Sequence, residues 1–385
     1  METVKGFRDF LGEEAEKREK IKEVIIKNFK LFGFEPAETP IIEYEEFVKG
    51  NNQNDEVISD IFKLQDKGKR NLALRYEFTF QLKRIANNKK LPYKRYQIGE
   101  VFRDEPTSVN RFRQFTQCDA DIVGSNIKDE AEVLYLISKI LDELKIEATI
   151  DVNNRKLLNE ILDKEKIENK EQVIKEIDKL NKLSENEVKN NLKKYKAEKI
   201  ILIFKKPESY FKRYFSYKEI EELKKYCKIF GAKINFSPSL ARGLSYYNGT
   251  IFEIKTKEFK ETICAGGSYL INGIQSTGFS FGLERISQLA KIKLENKNIL
   301  IISINQDKEA IKLAKELRKN NVPCSIIYNK ISKSLEYANS YKIPYVIFVG
   351  EKEIKSNKFK LRNMLTGKEQ MSKKEEIIKK LKFLD

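Results

Sequence analysis

Residues 101–124 read VFRDEPTSVNRFRQFTQCDADIVG. Two segments rich in aromatic and apolar residues, 94–104 (KRYQIGEVFRD) and 111–124, have the make-up of strands, and a polar loop joins them. In FRDE, 102–105, Arg103 beside the loop can grip a phosphate oxygen bidentately. Glu105, two residues on, shares its side of a strand and can accept a hydrogen bond from an adenine amino group. Phe115, ten positions after Glu105 on the returning strand, offers a flat surface for a base. Taken alone, an arginine and a glutamate at this spacing are more often a solvated ion pair.

Working outward, residues 12–32 read as a helix, with Ile21, Val24, Ile25 and Phe29 at helical spacing and Gly33 to end it. Pro36 and Pro40 bracket an extended piece, GFEPAETPIIEY. Residues 71–76 (NLALRY) look like a strand, FTFQLKRIANN like a helix, and 128–145 like an amphipathic helix. From about 155 to 198 the chain is dominated by Lys, Glu, Asn, Leu and Ile at helical spacing, without Gly or Pro. That is a helical insertion, followed by a strand–helix–strand passage up to Phe236. Residues 241–254 and 261–271 read as strands, and 278–292 as a strand running into a helix. Beyond LENKN (294–298) strands alternate with helices: NILIISI, a helix over 308–320, CSIIYN, a helix over 332–341, YVIFVG, FKLRNM and a last helix over 372–382. This predicts a compact α/β domain.

The 385 residues suit two or three domains, and 40% hydrophobic residues suffice for a sizeable core. Histidine and tryptophan are absent. A Ser-His-Asp triad, a Cys-His dyad and a His-ligated zinc are therefore excluded, and acid–base work falls to carboxylates, lysine, tyrosine or the substrate. No metal ligand set is indicated. A net charge of +17 suits a polyanionic partner, and equally a Lys-rich composition that serves solubility. Cys118, Cys227, Cys264 and Cys324 form no CxxC pair and fit a reducing cytoplasm. The N-terminal METVKGFRDFLGEE is too charged for a secretory signal, and no apolar run reaches the ~18 residues of a membrane span. A soluble, cytoplasmic protein is expected.

Two more constellations carry chemistry. In GFSFGLERI, 278–286, the glycines let the backbone pack closely or admit a ligand, and Arg285 can point at a terminal phosphate. A buried Gly-containing strand with a locally paired arginine would read the same. In ARGLSYYNGTIFEI, 241–254, an arginine and two tyrosines form a polar hairpin leading into an apolar strand. Adjacent tyrosines on a strand face opposite ways, so one of the pair is expected at any given pocket.

Together these segments resemble a known family. FRDE…RFRQF is similar to motif 2 of class II aminoacyl-tRNA synthetases, GFSFGLERI to motif 3, and GFEPAETPIIE to motif 1 with Pro40 at its proline. ARGLSYYNGT resembles the RGLDYYTGT segment of histidyl-tRNA synthetases, CAGGSY their GGRYD, LALRYEFT their LALRYDLT and KGFRDF their KGTRDF. QFTQCDADIVG follows the archaeal and eukaryotic style. The resemblance spans essentially the whole chain.

It implies an α+β catalytic domain over 1–293, an antiparallel sheet flanked by helices, with an insertion at about 155–235. An α/β anticodon-binding domain over 297–385 and a homodimer through motif 1 around Pro40 follow. It implies ATP-dependent attachment of L-histidine to histidine tRNA through histidyl-adenylate, releasing AMP and pyrophosphate. ATP is then a substrate, with Mg2+ beside it, and no membrane is involved. Arg103 and Arg242 would hold the α-phosphate from two sides, touching histidine too, and Arg285 the γ-phosphate. Glu105 would read adenine, Phe115 would stack on it, and Arg111 and Arg113 would complete the ATP set. Glu77, Thr79 and Gln117 would surround the α-amino group. Asp121 and Tyr247 would read the imidazole, with Tyr246 and Tyr269 beside them. A carboxylate and a phenol satisfy both ring nitrogens and reject apolar isosteres. Lys352, Arg362 and Asn363 are candidates for tRNA contact.

The chain departs from the family at Ser245 (usually Asp), Ser268 (often Arg), Leu270 (usually Asp) and 106–109 (PTSV), which bears on tRNA acceptor-end contacts. The insertion is either a solvated structural piece or a clamp on the acceptor arm, with a slight lean to the clamp. Two other classes are a non-catalytic paralogue, such as a regulatory subunit of a histidine-biosynthetic phosphoribosyltransferase, and a pure RNA-binding protein. Retention of residues 297–385 and of the class arginines and glutamate argues against the first.

Overall fold

The computed structural model describes residues 2–50, 56–108, 111–181, 183–243, 246–259, 261–294, 296 and 298–382. The chain divides into two compact units, Met1–Ile292 and Lys293–Asp385.

The first unit is built on an eight-stranded sheet. Its order is Glu35–Pro36, Tyr93–Phe102, Gln114–Val123, Ile274–Gly282, Cys264–Ile271, Tyr247–Lys255, Thr149–Asn154 and Asn235–Phe236. The two short outer strands pair in parallel and all other neighbours are antiparallel. Helix Gly12–Leu31 forms where the sequence places it, because Ile21, Ile25 and Phe29 recur every fourth residue and are all buried. It ends through Gly33, whose φ of +78° accommodates the turn that closes the last carbonyls. Helix Ile127–Glu143 packs beside it, started by an Asn126–Asp129 capping box. These helices and the 114–123, 247–255 and 274–282 strands share one core around Phe29, Leu134, Phe252 and Phe281.

The insertion is helical as expected: Arg155–Lys164, Lys170–Asp178, Glu185–Lys193 and Tyr217–Phe230. The strand expected to follow it is instead a helix, Ile200–Phe204, with Ile200, Ile201 and Ile203 buried in an apolar cluster that includes the insertion's helices. A five-residue apolar run carries no period that separates a buried strand from a buried helix, and its neighbours decided.

Two boundaries bear on the site. The strand containing FRDE ends at Phe102, so Arg103 and Glu105 lie in the loop and not on one strand face. Residues 241–243 and 246 precede the strand, which starts at Tyr247, so the polar hairpin is a loop running into a strand.

The second unit is a five-stranded sheet, ordered Cys324–Ile327, Ile299–Ser303, Tyr345–Val349, Phe359–Asn363 and Glu369–Ser372. Its first three strands are parallel and the last two antiparallel. Helices Asp307–Lys319, Ile331–Ser340 and Lys374–Lys382 accompany it. Helix Glu351–Ser356 and strand Glu369–Ser372 go beyond the sequence reading.

In the first sheet, Arg95 and Asp121 are register partners on adjacent strands, and their ion pair is 2.8 Å long and sealed from solvent. Removing one member of such a pair leaves a buried charge without its partner, at a cost of about 3–5 kcal/mol. Arg95→Met is therefore expected to lower the stability of the first unit by that order in an equilibrium urea titration. A change below about 1 kcal/mol would mean that the pair does not hold the sheet.

Candidate active site

One cavity of about 1120 Å³ opens in the first unit, over the centre of the sheet. Its floor is the 114–123 strand. Phe115, Gln117, Asp119 and Asp121 alternate along it and line the cavity.

One end is cationic. Arg103, Arg111 and Arg285 line it. Arg103 donates to the Tyr76 carbonyl at 3.1 Å, and its guanidinium lies 5.1 Å from the Phe115 ring centre. Arg111 pairs with Glu105, which also lines the cavity. Arg285 donates to the Thr262 carbonyl at 2.6 Å. Burial lowers its pKa from the ordinary arginine value, Glu261 opposes this, and Arg111 and Arg103 add to it. Three guanidinium groups that repel one another around a cavity form an anion receptor. Arg285 is aimed by its neighbour. Glu284 is buried, accepts both the Thr116 amide and Arg18 at 3.0 Å, and so fixes the start of helix Leu283–Leu289.

The other end is acidic. Glu77, Asp119 and Asp121 line it and are all buried. Tyr269 donates its hydroxyl to Asp121, whose other oxygen faces Arg95. Burial raises the Asp121 pKa, against the pull of Arg95 and Tyr269. Gly278 makes this contact possible. It lies opposite Asp121 on the intervening strand, and a Cβ there would strike the Asp121 carboxylate and come within 2.8 Å of the Tyr269 hydroxyl. Gly282, the other glycine of the motif, faces open space.

Arg242 lies on a third wall, 2.6 Å from Glu253. Burial disfavours its charge, yet Tyr247, Glu253 and Asp178 hold its pKa above the ordinary value. Tyr246 and Tyr247 both line the cavity, with rings 4.7 Å apart. The expectation of one tyrosine per pocket is corrected here, because Tyr246 lies in the turn before the strand and escapes its alternation. Thr79 completes the lining at the first position of helix Thr79–Ile85.

Of the candidates for ATP and histidine, Arg113 alone stands outside this lining. Its guanidinium turns to Asp104 at 3.1 Å and to the Glu105 carbonyl at 3.2 Å, while its amide donates to Gly6. Several lining residues were not anticipated. Asp119 was legible, since Phe115, Gln117 and Asp121 already define its strand face. Glu253 was signalled by being the lone charge in TIFEI. Asp178, Lys175 and Lys179 come from the insertion and look like solvated helix residues in the sequence.

Among the departures, Ser268 is buried and donates to Glu130 at 2.5 Å, while Leu270 points to solvent at 47% exposure. Ser245 and Val109 lie outside the described residues. In the second unit, Arg362 pairs with Glu369 at 3.4 Å, the Asn363 side-chain oxygen caps the 363–366 turn, and Lys352 is exposed on helix Glu351–Ser356. No helix among the described residues is long and apolar enough to cross a membrane.

Comparison with known proteins converges on one family. The family model for histidyl-tRNA synthetase matches residues 6–286, and that for an anticodon binding domain matches 298–384. The chain is 35% identical to histidine–tRNA ligase 1 of Bacillus cereus (strain ATCC 10987 / NRS 248), covering 96% of this chain and 94% of that one. It is 32% identical to histidine–tRNA ligase of Clostridium tetani, covering 98% and 97%. The fold matches a histidyl-tRNA synthetase structure from Nostoc sp. PCC 7120 with a TM-score of 0.85 at 23% identity, over 100% and 99% of the two chains. It matches a Bacillus halodurans structure described as an ATP phosphoribosyltransferase regulatory subunit/histidyl-tRNA synthetase with a TM-score of 0.76 at 19% identity, over 87% and 96%. With motif residues from four segments gathered in one cavity and both family models matched in order, this chain belongs to the histidyl-tRNA synthetase family.

Proposed function

We propose that the chain carries out its family's reaction, ATP-dependent attachment of L-histidine to histidine tRNA, with ATP at the arginine end of the cavity and histidine at the carboxylate end. The observation that carries this reading is the division of charge within one cavity. Arg103, Arg111 and Arg285 line the cavity as a set suited to a polyanion, while Glu77, Asp119 and Asp121 line it as a set suited to a cation.

In the first step the histidine carboxylate attacks the α-phosphorus and pyrophosphate leaves. The attacking oxygen is already ionised, so no general base is needed. Charge grows on the phosphoryl oxygens, and fixed guanidinium groups stabilise it without reorganising. Arg103 and Arg242, on two walls, serve the α-phosphate, and Arg285 the γ-phosphate. Phe115 stacks on adenine and Glu105 reads its amino group, with Arg111 holding that carboxylate in place. Glu77, Thr79 and Gln117 take the α-amino group, and Asp121 and Tyr247 read the imidazole beside Tyr246 and Tyr269. Mg2+ would accompany the phosphates and offset their charge, and Glu261 lines the cavity as a hard oxygen donor of the kind it would accept, while Glu253 is taken by Arg242. A hydroxyl on the terminal ribose of the tRNA then takes the histidyl group, releasing AMP.

Residues 1–293 serve as the catalytic domain and 297–385 as the anticodon-binding domain, where Lys352, Arg362 and Asn363 are tRNA candidates. The chain acts as a homodimer in the cytoplasm. Ile41, Ile42 and Tyr44, beside Pro40, are 42%, 49% and 57% exposed, an apolar edge that a second copy would cover.

Pyrophosphate exchange should depend on histidine, and exchange driven by a different amino acid would sink the assignment. Arg242→Ala should lower the exchange rate about 10²–10³-fold, far more than it weakens histidine binding. Equal losses in both would remove Arg242 from the phosphate. Ile42→Glu should shift the dimer toward monomer in analytical ultracentrifugation, and an unchanged sedimentation profile would rule out this edge as the interface.

A further inference from the structure

At the acidic end of the cavity Asp119 lies between two further buried carboxylates, Asp121 and Glu77, that act on it, and Arg95 is paired with Asp121. Asp119 is 4% exposed and lines the cavity, and its Oδ1 has no hydrogen-bond partner. Its carboxyl is steadied by the Ser280 hydroxyl, which in turn accepts from the Gln117 amide nitrogen at 3.0 Å. A buried acid that lines a cavity and keeps one sealed oxygen without a partner requires either a proton or a cation beside its carboxyl.

We propose that Asp119 is a further histidine-binding residue, protonated in the empty cavity and ionised when the α-ammonium of histidine arrives, so that binding releases a proton. The inference rests on reading this end of the cavity as the histidine site. The proton passes from the carboxyl to solvent. The ammonium keeps its own protons and replaces the lost one as the positive partner, and no covalent bond in the substrate changes.

The surroundings support this. Burial, then Asp121, push the Asp119 pKa up; Arg95 and Ser280 pull it down; Glu77 adds to the rise, leaving it at about 8. Arg75 also faces it, its own charge disfavoured by burial and favoured by Asp119 among others. The neighbouring thiols, Cys118 and Cys264, are held neutral by burial and supply no cation to Asp119. Below pH 8 the empty site therefore carries the proton and the occupied site does not. Proton release should be near one per histidine at pH 7 and small by pH 9.

The test is calorimetric titration of the full chain with L-histidine at pH 7 and pH 9, in buffers of different ionisation enthalpy. 3-(Imidazol-4-yl)propionate, which has the same imidazole but no ammonium, serves as the control. The wild type should release close to one proton with histidine at pH 7 and clearly less with the control, whose only contribution is the titration of its own imidazole. Asp119→Asn should lose the release and, at pH 9, bind histidine at least about tenfold more weakly with ATP affinity unchanged. Absence of release from the wild type at pH 7, equal release with the control, or retained release in Asp119→Asn would overturn the proposal. Should the variant not fold, the wild-type titrations decide alone. Failure of histidine to bind or to support exchange would instead overturn the reading of the cavity, and intact exchange without release would overturn only the role of Asp119.

Discussion

Asp121 is held from two sides by groups that reach it along different routes. Arg95 comes from the adjacent strand, directly opposite in register, 2.8 Å away and fully buried. Tyr269 comes from two strands away and reaches Asp121 across the strand that carries Gly278. A side chain at 278 would close that lane. Three strands are thus tied at one buried carboxylate, and a one-residue slip of any of them would turn its partner to the wrong face. The pair is expensive to bury and cannot move freely. It therefore fixes the strand face on which Phe115, Gln117 and Asp119 also stand.

From that fixed face the rest of the site follows. Glu284 takes the Thr116 amide, ties in Arg18 from the first helix, and so sets where Arg285 points. Arg103 leaves the 93–102 strand just past its end and lies over Phe115. The arginines repel one another and have no single carboxylate to neutralise them all, which leaves them available to phosphates. The chain contains no histidine, and this chemistry does not ask for one. A carboxylate nucleophile needs no base, and guanidinium groups stabilise phosphoryl charge without moving a proton. The enzyme that supplies histidine for translation can therefore be translated without it.

The insertion has a closer relation to the site than its composition suggests. Lys175, Asp178 and Lys179 line the cavity, and Arg155 donates to the Arg242 carbonyl at 3.1 Å. Asp178 is one of the charges that hold the Arg242 pKa up. The wall that carries Arg242 is thus shared between the sheet and the inserted helices.

The order of motifs and the period-two face of the 114–123 strand were determined by the sequence itself. Local patterns name residues by spacing, and spacing along a strand is geometry. The same rule extends to Asp119, which the sequence reading passed over although Gln117 and Asp121 define its face. Three matters were decided only by tertiary structure. IILIF is a helix because the apolar run has no period of its own and its neighbours are helices. Tyr246 joins Tyr247 at the cavity because the strand begins at Tyr247 and not at 241. The insertion's charged residues meet Arg242 because packing brings together positions about 65 apart in the chain. Sequence spacing encodes direction within one element, whereas contact between elements depends on how their buried faces pack.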